Sequence, residues 1–320
     1  MPPEKEIGLT LHPILNAMPT KDSIRDWFSS LQQDICSQLE AADGTGKFIS
    51  DVWERPGGGG GVSRVITDGK ILEKGGVNFS AVWGPAPEHV LRSLKLPADD
   101  SLEFFATGVS IVLHPHNPMV PIIHMNTRYF EMSNGMWWFG GGIDLTPHYV
   151  DEADARYFHH QLKSVCDQHH PSYYPEFKKW ADDYFYIKHR QETRGIGGIF
   201  FDYLKDNEDF TKASRFEFIR AVGSAFAPLY IYYMQNNHSK PYSARQKEWQ
   251  YLRRGRYVEF NLVWDRGTKF GLDTDGRTES ILMSLPPQAR WEYNHHPASD
   301  SPEQHTLDLL KKDIHWIAQA

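Results

Sequence analysis

Residues 107–147, TGVSIVLHPHNPMVPIIHMNTRYFEMSNGMWWFGGGIDLTP, decide the fold and concentrate its chemistry. Residues 121–130 read as an extended strand, whose side chains alternate between two faces. His124, Asn126 and Arg128 fall on one face; Ile123, Met125, Thr127 and Tyr129 fall on the other. A histidine, an amide and a guanidinium in one row can exchange protons and hold an anion. Residues 136–145 read as the next strand, which contains Gly140, Gly141, Gly142 and then Asp144. Three glycines weaken a strand and mark a bulge, or a floor on which something flat can lie.

The turn decides whether Asp144 joins the row. Asn134-Gly135 is a hairpin signal. A two-residue loop pairs Ser133 with Met136 and puts Asp144 opposite Met125, on the wrong face. A three-residue loop, 133–135, pairs Asp144 with His124, and a bulge among the glycines has the same effect. One of these two is favoured, because it gives the carboxylate a partner. The alternative is a solvated sheet face with ordinary polar alternation.

The chain has 320 residues, 40% of them hydrophobic, enough for a sizeable core. The aromatic content, 13%, suits deep packing or a broad apolar ligand. A net charge of −7 argues against bulk nucleic-acid or anionic-membrane binding, so an anionic ligand must be caught by local arginines. Cys36 and Cys166 form no CxxC pattern, and no disulfide framework or iron–sulfur site follows. The first residues show no signal core and no run is apolar enough to span a membrane. A soluble, cytoplasmic protein is expected.

Residues 22–42 have helical spacing, ended by Asp43-Gly44. Gly44-Thr45-Gly46-Lys47 is not a phosphate loop, since Phe48 stands where Ser or Thr is needed. Residues 48–54 read as a strand, and the glycine run 57–61 as a flexible hairpin loop or a flap over a site. Strands are expected over 62–82, broken at Asp68-Gly69, and over 102–114. Helices are expected over 86–94, 151–170, 175–192, 210–236 (interrupted near Gly223 and Pro228), 243–254 and 301–320. Residues 256–264 and 280–285 read as strands. Elements in blocks favour an α+β fold with a mainly antiparallel sheet, and the absence of a linker favours one domain, 1–320. The basic run Arg245, Lys247, Arg253, Arg254, Arg256 reads as a solvated helix beside an interface.

Sixteen histidines invite a metal reading, with His114, His116, His124, His159 and His189 as candidates, but none sits in a tight ligand motif. Residues 178–202, KKWADDYFYIKHRQETRGIGGIFFD, closely resemble the signature of oxygen-dependent coproporphyrinogen III oxidases. The pattern begins at Lys178, and its core from His189 to Asp202 matches throughout; Ala181 stands where the family commonly has cysteine. FISDVWERPGGGGGVSRV, HPHNPMVPIIHMNTRYF, WWFGGGIDLTP and RGRYVEFNLVWDRGTKFGL are also similar to this family, so the resemblance covers nearly the whole chain.

The resemblance implies a large flat antiparallel sheet flanked by helices on both faces, in a homodimer whose contact includes the segment from Tyr257 to Trp264. It implies oxidative decarboxylation of the ring A and B propionates of coproporphyrinogen III to vinyl groups. O₂ is the co-substrate, and protoporphyrinogen IX, CO₂ and H₂O₂ are formed. The iron–sulfur motif of the oxygen-independent route is absent. The resemblance makes His124 the proton donor and Asp144 the pyrrole-binding carboxylate, with Arg128 catalytic and propionate-binding. Ser110, Asn126, Thr127, Asp275, Gly276 and Arg277 become substrate contacts; Asp275 replaces a residue that is often glycine. Bacterial members imply a metal through positions matching His114, His124, His159 and His189, whereas the eukaryotic type implies none, and no metal is expected. A non-catalytic tetrapyrrole carrier and a metal-dependent oxygenase are the alternatives.

Overall fold

The computed structural model describes residues 18–317, apart from 98, 100, 274 and 275. Its frame is a seven-stranded antiparallel sheet, built from β1 (Ile49–Glu54), β2 (Gly59–Thr67), β3 (Leu72–Pro85), β4 (Glu103–Pro115), β5 (Ile122–Met132), β6 (Trp137–Thr146) and a later strand, Gly198–Leu204. The strands lie in that order, so each neighbours the one before it except for the last, which returns beside β6. A small hairpin, β7 (Tyr186–Ile187) and β8 (Glu192–Thr193), precedes that last strand, β9. The α+β class expected from the block order of elements is what the chain forms.

The two faces of the sheet differ in kind. Val77, Val109, Ile111, Ile123, Met125 and Ile143 point to one side and are buried. Against this side pack α1 (Lys21–Asp43) and the long α5 (Lys212–Asn237), with α3 (Glu152–Asp167) and α4 (Tyr173–Tyr184) completing the layer. α1 buries Ile24, Phe28, Leu31, Ile35 and Leu39, a stripe at three- and four-residue spacing. Thr20 caps its start reciprocally with Ser23, and Gly44 ends it at φ 86°. The carboxylate of Asp43 then accepts from the backbone N–H groups of Gly46, Lys70, Ile71 and Leu72, which ties the helix end to the β2–β3 turn.

Several expectations are corrected. α5 runs through Gly223 and Pro228 without a break. Gly223 instead admits α1, since a Cβ there would lie 2.8 Å from Leu31 and Trp27. Residues 256–264 are not a strand: α6 (Ala244–Glu259) continues into a π-helical turn, Phe260–Trp264. The alternation YVEFNLVW mimics a strand, but Tyr257, Phe260 and Asn261 are buried together on the helix, and tertiary packing overrides the pattern. Residues 280–285 are likewise no strand; after α7 (Arg266–Asp273) comes the short α8 (Thr278–Leu282). α4 stops at Tyr184 rather than continuing to residue 192, and the C-terminal helix, α9, covers only Pro302–Leu309. The short α2 covers Glu88–Ser93.

The glycine run is also mostly sheet. Gly59, Gly60 and Gly61 are paired within β2, and a Cβ at Gly61 would lie 2.3 Å from the Phe79 carbonyl. Close strand approach explains these glycines better than a free flap does.

Candidate active site

The β5–β6 loop is the three-residue one. Met132 N donates to Met136 O at 2.8 Å, leaving Ser133, Asn134 and Gly135 as the turn, with Gly135 at φ 86°. This register sets His124 directly opposite Asp144, Asn126 opposite Gly142 and Arg128 opposite Gly140. Across the neighbouring strands the row continues through Ser110, Asn78, Ser63 and Asp51, so one polar line crosses the sheet.

The row is open in the middle and roofed at one end. Ser280 covers β2 and β3, its hydroxyl 2.8 Å from Ser63 Oγ and its carbonyl accepting from Asn78 at 2.7 Å. Arg277 binds there too, donating to the hydroxyls of Ser63 and Ser280 and pairing with Asp51. Gly276 closes its loop through an N–H to the Gly271 carbonyl, whereas Asp275 lies outside the described residues. Ser110, Asn126, His124 and Arg128 remain partly accessible.

Thr127 does not join this face. The two-residue period sends its side chain into the opposite core, where it is fully buried, which leaves its main chain on the side of the row.

Asp144 is only 1% exposed and both its oxygens are occupied. Arg194 donates to Oδ1 at 2.6 Å and to Oδ2 at 3.1 Å, while His124 Nδ1 stands 2.9 Å from Oδ1. Burial alone would raise the pKa of Asp144; the Arg194 charge and the hydrogen bond from His124 outweigh it and hold the carboxyl below its ordinary value. An ionised carboxylate only accepts, so Nδ1 of His124 carries a proton and donates. Nε2 is left to face the open side of the row. The partners of Asp144 within the chain are thus an imidazole and a guanidinium, and Oδ2 accepts from Arg194 Nε alone.

Arg194 is the residue that the sequence reading missed. It is 2% exposed, packed 4.3 Å from the Phe185 ring and 4.6 Å from the Phe260 ring, and it donates to Asn261 at 3.2 Å. The only available signal was its place in the signature, since its partner lies 50 positions away. Arg128 lies over Gly140, donating to Asn126 Oδ1 at 2.9 Å and to Asp202 Oδ2 at 2.8 Å. Asp202 is aimed there by a register shift between β6 and β9 opposite Gly140, next to Tyr203 at φ 52°.

The histidines considered for a metal are dispersed. His114 Nε2 is 2.8 Å from the Ser284 carbonyl. Both ring nitrogens of His159 are engaged, by Tyr174 and the Ile196 carbonyl, and both of His189, by Glu259 and Trp264. His116 reaches the Gly69 carbonyl. Among the described residues no group of three metal-ligating side chains converges.

A family model described as coproporphyrinogen III oxidase matches residues 23–316. The chain is 51% identical over 298 residues to the oxygen-dependent coproporphyrinogen-III oxidase of Drosophila melanogaster, covering 90% of this chain and 76% of that one. It is 46% identical to coproporphyrinogen-III oxidase 1, chloroplastic, of Arabidopsis thaliana, covering 98% and 87%. It is also 46% identical to the oxygen-dependent enzyme of Parasynechococcus marenigrum, covering 95% and 90%. The chain belongs to the coproporphyrinogen III oxidase family.

The family signature now has a physical reading as a belt of charge pairs. His189 and Arg190 meet Glu259 on α6; Glu192 accepts from Arg253 at 2.9 Å; Arg194 holds Asp144; Asp202 holds Arg128. Each pair docks the β7–β9 region onto α6 or onto the site. Among the described residues no helix is long and apolar enough to cross a membrane.

Proposed function

We propose that the chain catalyses oxygen-dependent oxidative decarboxylation of the ring A and B propionates of coproporphyrinogen III, giving protoporphyrinogen IX in haem biosynthesis. Each propionate loses a hydride equivalent from its β-carbon and then CO₂, leaving a vinyl group. The hydride's two electrons pass to O₂, which with one further proton becomes H₂O₂. The observation that carries this reading is the line Ser110–Asn126–Arg128–His124 over Gly140 and Gly142, in a chain matching this family from residue 23 to 316.

In this reading the macrocycle lies on the glycine floor. Arg128 and Arg277 bind propionates at its two ends, where a planar fork suits a carboxylate. Ser63, which Arg277 contacts, and Asn126 sit three strand spacings apart, roughly 14 Å, a span fitted to one tetrapyrrole. Ser110 and Asn126 orient it. His124 Nε2 carries the proton of the peroxide step. Asp144 acts through His124, by fixing its tautomer, and Arg194 keeps Asp144 ionised.

The reduced tetrapyrrole is itself electron-rich, so no redox cofactor is invoked. The ring nitrogens of His159 and His189 are already engaged, which favours the metal-free reading over a metal-dependent oxygenase. The described residues act as one domain, since the site draws on positions from 63 to 277. A second copy docks against the exposed Leu262 and Val263 on the π-helical turn, because Tyr257 and Phe260 of that segment face inward. Two buried free cysteines suit a reducing, cytoplasmic setting.

The test is product formation from coproporphyrinogen III in air and under argon. Protoporphyrinogen IX in air and none under argon is expected. Binding without turnover in air makes the chain a carrier, and equal turnover under argon rejects the oxidase reading.

A further inference from the structure

A small cavity lies away from the row, between β8 and α6. Glu192, Trp249, Leu252, Arg253, Arg256 and His295 line it, and its volume of about 30 Å³ is room for about two waters or one ion of chloride size. Two of its guanidiniums, Arg253 and Arg256, belong to a group of three that meets two carboxylates, Arg190 and Glu259 lying beyond the lining. Arg190 forks Glu259. Arg253 Nη1 donates to Glu192 at 2.9 Å. Arg256 is shared, 3.3 Å from Glu259 and 3.9 Å from Glu192. One positive charge is therefore in excess. His295 also lines the cavity, its Nδ1 3.1 Å from Glu292.

Arg253 is 3% exposed, and its Nε is buried with no hydrogen-bond partner among the described residues. A buried guanidinium N–H without an acceptor is costly, and the usual remedy is a bound water or anion. Burial, then the neighbouring Arg190 and Arg253 charges, pull the pKa of Arg256 below its ordinary value, as expected where cations crowd. The Trp249 ring and Leu252 give the cavity an apolar wall, which suits a weakly hydrated monoanion better than a multivalent one.

We propose that this cavity binds a small monovalent anion of chloride size, held by Arg253 Nε and Arg256. The bound ion neutralises the excess charge and fastens β8 to α6, two residues from Arg194. It is separate from the substrate row and stands whether or not the proposed reaction does.

The experiment uses the full chain. Crystals soaked in bromide are read for anomalous scattering in the cavity. Melting temperature is measured in chloride and in gluconate at matched ionic strength. A bromide peak beside Arg253 is expected, together with a melting temperature higher by about 2 °C when chloride is in tenfold excess over its dissociation constant. Arg256→Gln should remove most of that chloride-specific rise, and Arg256→Lys should keep part of it. An empty cavity after soaking overturns the proposal, as does equal melting in the two salts. A peak without a melting difference means binding at crystal concentration only and also overturns it. If Arg256→Gln does not fold, the two wild-type measurements still decide.

Discussion

Oδ1 of Asp144 receives His124 Nδ1 at 2.9 Å while Arg194 forks the same carboxylate, so the imidazole is oriented from behind and presents Nε2 to the open face. The arrangement resembles a hydrogen-bonded relay from Arg194 through Asp144 to His124. Asp144→Asn should lower kcat roughly 100- to 10,000-fold, the range for loss of general acid–base function, with a much smaller change in KM. It should also cost about 3–5 kcal/mol of stability, because the buried Arg194 charge is left unpaired. Steady-state kinetics with thermal unfolding separates the two effects. A rise in KM at unchanged kcat would mean that Asp144 binds ligand directly.

The floor itself can be tested. A Cβ at Gly140 would stand 2.4 Å from Asp202 Oδ1 and 3.1 Å from the Arg128 guanidinium. Gly140→Ala should therefore displace the Arg128–Asp202 pair and raise KM about tenfold or more, the equivalent of one lost charged hydrogen bond. Unchanged KM in a folded variant would remove Arg128 from substrate binding.

Acid sensitivity should trace partly to His159. Burial lowers its pKa to about 3, so it is neutral in the fold. The unfolded chain takes up its proton below about 6.5. Stability from this group is thus fully present above that value and is lost as pH falls toward about 3, with a slope near 1.4 kcal/mol per pH unit. His159→Gln should flatten the dependence of unfolding free energy on pH in that window. An unchanged slope would show that His159 titrates freely in the native state.

Asp43 makes a second, lower window. Burial would raise its pKa, but four backbone N–H groups bring it down to about 2 from 3.8. Its contribution is present above pH 3.8 and disappears as pH falls through about 2. Asp43→Ala leaves those donors unsatisfied and should cost about 2–4 kcal/mol in denaturant titration. A loss under 0.5 kcal/mol, the scale of an ordinary surface change, would show that water replaces the carboxylate.

Exhaustive chelation followed by metal analysis should leave turnover unchanged. Activity lost on chelation and restored by one metal would move the reading to a metal-dependent oxygenase.

What could be read in advance divides along physical lines. The β5–β6 hairpin was legible because Asn134-Gly135, the glycines and the two-residue period together allow few registers, and only the choice of loop remained open. Thr127 was placed among ligand contacts by motif, and the period alone gives the buried side chain it has. Residues 256–264 were illegible, since an alternating apolar pattern is also compatible with a helix when Asn261 must reach Arg194 and Phe260 must fill the space beside Phe185. Arg194 escaped notice because a buried ion pair with a partner 50 residues earlier leaves no local pattern.

The most direct test of the central claim is a structure with a substrate analogue bound. The macrocycle should lie over Gly140 and Gly142, with one propionate at Arg128 and His124 Nε2 facing a reacting propionate. An analogue seated away from this face, with His124 still turned to empty solvent, would contradict it.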